Sequence, residues 1–141
     1  YYNFLRLGRA GYREIMINLQ ETARFLAAAI KDTGHFELIS DDSGLPLVCF
    51  RLNTERAYSV FDVSDHLRAR GWIVPAYTLA PNAEHIAVLR IVVREGLSRD
   101  MAELLVDDIN RTIEHFDSVY GGVTTPTRHK SRQRRKTRAA C

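Results

Sequence analysis

The chain has 141 residues, 45% of them hydrophobic and 26% charged, enough for one compact domain with its own core. No apolar run approaches the roughly 20 residues a membrane-spanning helix needs, and no secretory leader pattern opens the sequence. The net charge of +3 divides unevenly, because residues 128–138 alone carry seven Lys/Arg and no acid, leaving 3 − 7 = −4 for the rest. The chain opens at Tyr1 in mid-pattern, which reads as a piece of a longer polypeptide.

The first 34 residues read as a helix. Leu5, Tyr12, Ile15, Leu19, Ala23, Leu26 and Ile30 fall at helical spacings on one stripe, and Gly34 is a natural stop. Gly8 and Gly11 each cost about 1 kcal/mol of helix propensity against Ala, so a fray, a kink or a close helix contact is expected there. Two strands follow, at 35–40 and 45–52, joined by the turn-rich 41–44, with Pro46 at the strand's first residues or on an edge. A second helix is expected over 59–71, with Ser59 as N-cap, Asp62 completing a capping box, and Val60, Val63 and Leu67 buried. A third strand at 72–79 is broken by Pro75 and so belongs at an edge or bend. The turn 81–84 leads into a fourth, 85–94. The last helix, 98–117, starts at Ser98 and presents Met101, Leu104, Leu105, Ile109, Ile113 and Phe116 as its apolar face. Residues 1–120 thus form the folded domain and 121–141 a basic tail. The order α-β-β-α-β-β-α predicts a mainly antiparallel sheet covered by helices, an open α/β sandwich.

Chemistry-bearing residues are few. Cys49 sits in an apolar run and reads as a buried small hydrophobe, while Cys141 ends the tail. Neither belongs to a metal-ligand spacing, so no metal site is expected and a reducing, cytoplasmic setting fits. His35, His66, His85 and His115 are scattered at element ends, suited to surface or capping roles. Trp72 and Tyr77 read as core or interface aromatics. The anomaly is Arg90, a cation inside the strand-forming run at 85–93. Strand alternation puts it on one face with Ile86, Val88 and Val92. Both faces are apolar, so the strand is expected to be central and the guanidinium to need an anion. That anion is either a protein carboxylate, making a structural ion pair, or a ligand carboxylate or phosphate gripped by the planar fork. Composition alone does not choose.

Four stretches carry a resemblance: YYNFLRLGRAGY (1–12), GLPLVCFRL (44–52), DVSDHLRARGWIVPAYTL (62–79) and LRIVVREG (89–96). In order and spacing they resemble the C-terminal domain of glutamate decarboxylases, pyridoxal-phosphate enzymes of group II with the fold type I architecture, over about residues 1–117. The resemblance implies the small C-terminal domain of that fold. It also implies an intact enzyme that converts L-glutamate to 4-aminobutyrate and CO2 and works as a homo-oligomer, dimer or hexamer. Arg90 falls on the family arginine that holds the substrate α-carboxylate, setting the bond to be broken across the cofactor plane. Arg94 is the competing candidate on the same face. The family's cofactor lysine and phosphate cradle belong to the large domain, so this stretch alone is expected to supply no catalytic residue, to bind no pyridoxal phosphate and to be inactive. TRHK at 127–130 imitates the lysine motif but sits in an Arg-rich tail without a pocket.

The tail itself reads as a solvated, disordered segment. Calmodulin is disfavoured as a partner because only two alanines could serve as anchors, and His129 does not align with the C-terminal histidine of some bacterial relatives. A nucleic-acid-binding module with a basic arm is the rival from another class. It requires aromatics displayed on the sheet, whereas here they sit in apolar contexts and the body is acidic, so nucleic acid is disfavoured. Another group II amino-acid decarboxylase is the nearer alternative. Tyr1, Tyr2, Phe4 and Leu5 form an apolar cluster expected to pack on the large domain or a second subunit.

Overall fold

A computed structural model describes residues 1–40 and 44–121. Readings placed on the tail, including TRHK, His129 and Cys141, and on the turn at 41–43 lie outside the described residues. The elements run α1 (Tyr2–Asp32), β1 (Phe36–Leu38), β2 (Leu47–Leu52), α2 (Val60–Ala69), β3 (Ala76–Thr78), β4 (Ala87–Val92) and α3 (Arg99–Tyr120). The four strands lie in the order β1-β2-β4-β3, and every neighbouring pair is antiparallel. The expected order and sheet type are both found.

Local chemistry explains the boundaries. The Ser59 backbone N–H donates to Asp62 Oδ2 at 2.8 Å and the Asp62 N–H donates to Ser59 Oγ at 3.4 Å, so the capping box closes α2 at its start. The Met101 N–H donates to Ser98 Oγ at 3.2 Å and starts α3 in the same way. Gly34 follows the end of α1 with φ of 75°, a left-handed conformation that glycine adopts without steric cost. Gly8 supplies the kink: its φ of 55° and ψ of −169° interrupt α1 after its second turn. Pro75, which has no N–H to offer, immediately precedes the short edge strand β3.

The register sorts the sheet into two faces. Phe36, Val48, Phe50, Leu89 and Ile91 share one face and join Leu26, Ile30, Val63, Leu67, Ile109 and Ile113 of the helices in a single buried core. Glu37, Leu47, Cys49, Arg51, Tyr77, Val88, Arg90 and Val92 share the other, outside that core.

Two sequence expectations need correction. The stripe of α1 is buried only in its second half, at Ala23, Leu26 and Ile30; Leu5 is 68% exposed and Tyr12 38%. Met101 and Leu104 are also exposed, because α3 turns Ala102 and Thr112 inward in their place beside the expected Leu105, Ile109 and Ile113. Apolar periodicity marks a stripe, but the docking angle of the helix decides which side of that stripe is covered.

Candidate functional site

β4 is central, flanked by β2 and β3, and its backbone is fixed on both sides of Arg90. Cys49 is the cross-strand partner on β2, and the Arg90 N–H donates to the Pro75 carbonyl at 3.0 Å on the other side. Centrality is as expected. Burial is not: Arg90 is exposed, because its face of the strand turns away from the helix-packed core. The alternation Val88–Arg90–Val92 was assigned to one face correctly, but apolar neighbours on a strand do not reveal whether a layer covers them.

Among the described residues no carboxylate lies within ion-pair distance of the Arg90 guanidinium. Other arginines do have such partners: Arg51 with Glu37 at 2.6 Å, Arg56 with Asp117 at 2.6 Å and Arg70 with Asp108 at 2.7 Å. Arg90 instead lies over the ring of Tyr77, with Cζ 5.1 Å from the ring centroid. Among the described residues Arg90 thus makes no ion pair.

The side chain borders a groove of about 580 Å³ whose walls include Trp72, Pro75, Arg90, Arg94, Gly96 and Met101. Arg94 follows the buried Val93, past the end of β4, in a turn closed by the Leu97 N–H donating to its carbonyl at 3.1 Å. Both candidate arginines therefore meet at one groove, Arg90 from a strand held on both sides and Arg94 from a turn. Beside them Cys49 is 8% exposed. Burial pushes its thiol above the ordinary value, while a hydrogen bond with the Tyr77 side chain and the charge on Arg90 pull against that rise. A thiol held that way is a packed, unreactive one, as its apolar sequence setting indicated.

The one lysine among the described residues is Lys31, in the last turn of α1 and not in the wall of this groove. Among the described residues no group of three or more His, Cys, Asp or Glu is placed to hold a metal ion. The arrangement can therefore grip an anion, but it offers neither a covalent anchor for a carbonyl cofactor nor a metal cage. Nor is any helix of the described residues long and apolar enough to cross a membrane.

Two polar clusters escaped sequence reasoning. Arg56 donates to both carboxylate oxygens of Asp117, at 2.7 and 2.6 Å, and to the Tyr58 hydroxyl at 2.9 Å, pinning the segment before α2 onto α3. Trp72 Nε1 and Arg70 Nε each donate to Asp108 at 2.8 Å, so Trp72 is anchored at its polar end. Their partners lie 36 to 61 residues apart, and no local pattern announces such pairs.

Comparison with known proteins agrees with this fold. Residues 1–53 match the model of the pyridoxal-dependent decarboxylase conserved domain. A glutamate decarboxylase of Solanum lycopersicum is 48% identical over 118 residues, which are 84% of this chain and 24% of that protein. This chain is a domain of the pyridoxal-dependent decarboxylase family. A glutamate decarboxylase of the bacterium Aliivibrio fischeri is 43% identical over 119 residues, covering 82% of this chain and 26% of its own length. Among solved structures, glutamate decarboxylase of Lactobacillus brevis superimposes with a TM-score of 0.80 at 40% identity, over 83% of this chain and 27% of that one. This group II decarboxylase domain shares the fold type I architecture of its structural neighbours, and the chain spans about a quarter of the length of the curated relatives it matches.

Proposed function

We propose that this chain is the C-terminal small domain of a glutamate decarboxylase and that Arg90 holds the α-carboxylate of the amino-acid substrate. Residues 1–120 form the domain, with 1–34 leading into it, and 121–141 extend it as a basic tail. The intact enzyme converts L-glutamate to 4-aminobutyrate and CO2. The observation carrying this reading is the state of Arg90: fixed by its backbone on a central strand, exposed at a groove and joined to no carboxylate of the described residues. A guanidinium kept in one place without an internal partner is arranged for an external one, and its planar fork matches a carboxylate bidentately. Relatives named as glutamate decarboxylases from a plant and a bacterium support the same substrate.

Pyridoxal phosphate, when bound, supplies the electron sink for the loss of CO2. The resemblance assigns the cofactor lysine to the large domain, and the work of this domain is to bind and orient. Arg90 fixes two oxygens of the substrate and with them the direction of the bond that breaks. Arg94 adds positive charge at the same groove and draws anions toward it. Tyr1, Tyr2, Phe4 and Leu5, between 68% and 92% exposed, form an apolar surface that the rest of the enzyme or a second subunit covers in a homo-oligomer. The reducing setting that suits the free, buried Cys49 is the cytoplasm.

The test is Arg90→Lys in the holoenzyme. Lysine keeps the charge and loses the fork, so kcat/KM for L-glutamate falls by about tenfold or more while cofactor absorbance stays at the parental level. Parental kinetics would remove the assigned role. A parental enzyme that prefers a different amino acid would point to another group II decarboxylase instead.

A further inference from the structure

We propose that Tyr77 is the positioning residue of the arginine clamp: its ring holds the Arg90 guanidinium flat, so that the edge carrying the donors faces the groove. This inference rests on the reading of Arg90 as a carboxylate clamp and deepens it.

A free arginine side chain is rich in rotamers. An exposed one without a carboxylate partner samples many orientations, and a ligand must then order it at a cost in affinity. At Arg90 the Tyr77 ring is placed to supply that ordering. Tyr77 pairs with Val88, two residues before Arg90 on β4, so its ring is carried toward the arginine on the same face. Cζ of Arg90 stands 5.1 Å from the ring centroid, within cation–π range.

The ring is itself held. It is half-buried on a strand. The pairings of Tyr77 with Val88 and of Cys49 with Arg90 put Tyr77 and Cys49 on that same face, on opposite sides of β4. Tyr77 therefore leans over β4 like a shelf. The geometry separates the two uses of the guanidinium. The ring stands to one side of the guanidinium carbon, 5.1 Å from it, and on this proposal it takes the flat face and leaves the N–H groups in the plane for the two oxygens of a carboxylate. No carboxylate of the described residues competes for them. Tyr77 thus touches neither reacting atoms nor substrate; it acts through Arg90.

The experiment is a double-mutant cycle in the holoenzyme with Tyr77→Leu, Tyr77→Phe and Arg90→Lys. It is read as KM and kcat for L-glutamate, as the calorimetric Kd for glutarate (a dicarboxylate without the amine), and as cofactor absorbance. Tyr77→Leu should raise KM and the glutarate Kd by about 3- to 10-fold, with kcat altered by less than about twofold. Tyr77→Phe keeps the ring and should recover most of that loss. On the Arg90→Lys background Tyr77→Leu should add nothing, because the guanidinium it positions is gone. Should Tyr77→Leu fail to fold, Tyr77→Val, better suited to a strand, takes its place. If Arg90→Lys is impaired but the Leu and Val variants keep the parental KM and Kd, the ring has no positioning role and the clamp reading stands. An effect of Tyr77→Leu that persists in full on the Arg90→Lys background, or that falls on kcat alone, marks a general structural role and also overturns the inference. Parental behaviour of Arg90→Lys fells the clamp and this inference together.

Discussion

The imidazoles of His66 and His115 stack on one another, 5.0 Å between centroids and 16° from parallel, where α2 meets α3. The Thr112 hydroxyl, fully buried, donates to the Asp108 carbonyl at 2.7 Å. Its oxygen is then left to accept from His66 Nδ1 at 3.1 Å, which fixes the neutral His66 with its proton on Nδ1. Burial, the neighbouring His115 and then Arg70 all hold the His66 pKa below its ordinary 6.5. Across the range below 6.5 the folded state therefore binds fewer protons than the unfolded chain, and stability is full above that pH and lost as pH falls through it. Thermal unfolding between about pH 5 and pH 7.5 should show this loss. His115→Ala should shrink it without abolishing it, since burial, the larger cause, remains.

Alkali should act through a different cluster. Burial and the hydrogen bond to Asp117 push Tyr58 up to about 12, against the pull of Arg56. The folded state then keeps a proton that the unfolded chain releases above 10, so stability falls as pH rises from 10 toward about 12. Tyr58→Phe retains the packing against Phe116, 4.9 Å between centroids, and should flatten this part of the pH–stability curve.

Removing the carboxylate of that cluster should cost more than removing one on the surface. In Asp117→Asn, Arg56 loses a partner held at 2.6 Å while its side chain is only 18% exposed, a loss of about 1–2 kcal/mol in urea denaturation. The half-exposed pair of Arg99 and Glu103, at 3.2 Å, should contribute less than about 0.5 kcal/mol when Glu103 is changed to Gln.

The helices should respond unequally to truncation. Ile109→Ala opens space at a fully buried position and should cost about 2–5 kcal/mol. Leu104→Ala, on the same helix but 58% exposed, should stay within about 0.5 kcal/mol. Ser59→Ala removes the capping hydroxyl of α2 and should cost about 1 kcal/mol. Urea midpoints at constant m-value measure all three.

Features set by near neighbours were legible in the sequence. The capping box of Ser59 and Asp62, the stop at Gly34 and the edge position of the strand after Pro75 depend on residues a few positions apart, so their chemistry is written locally. The element order and antiparallel sheet followed from them. Arg90 was visible as an anomaly, and its central strand was correctly inferred. Its exposure was not, because all the helix packing falls on the face shared by Leu89 and Ile91, a matter of tertiary layering rather than strand composition. For the same reason Leu104 was taken for core while the inward-facing Thr112 was overlooked. The shelf formed by Tyr77 and the stack of His66 on His115 arise only when distant segments meet. An aromatic after a proline and two solitary histidines give no sign of it.

The break at Gly8 redirects the start of α1, which keeps a ring contact with the rest of the helix, Phe4 on Tyr12 at 5.7 Å between centroids. A β-carbon there would meet nothing within 4 Å, so the torsion angles of that residue, rather than crowding, set the direction in which Tyr1, Tyr2, Phe4 and Leu5 project. One residue thus sets how four greasy side chains stand relative to the sheet that carries Arg90.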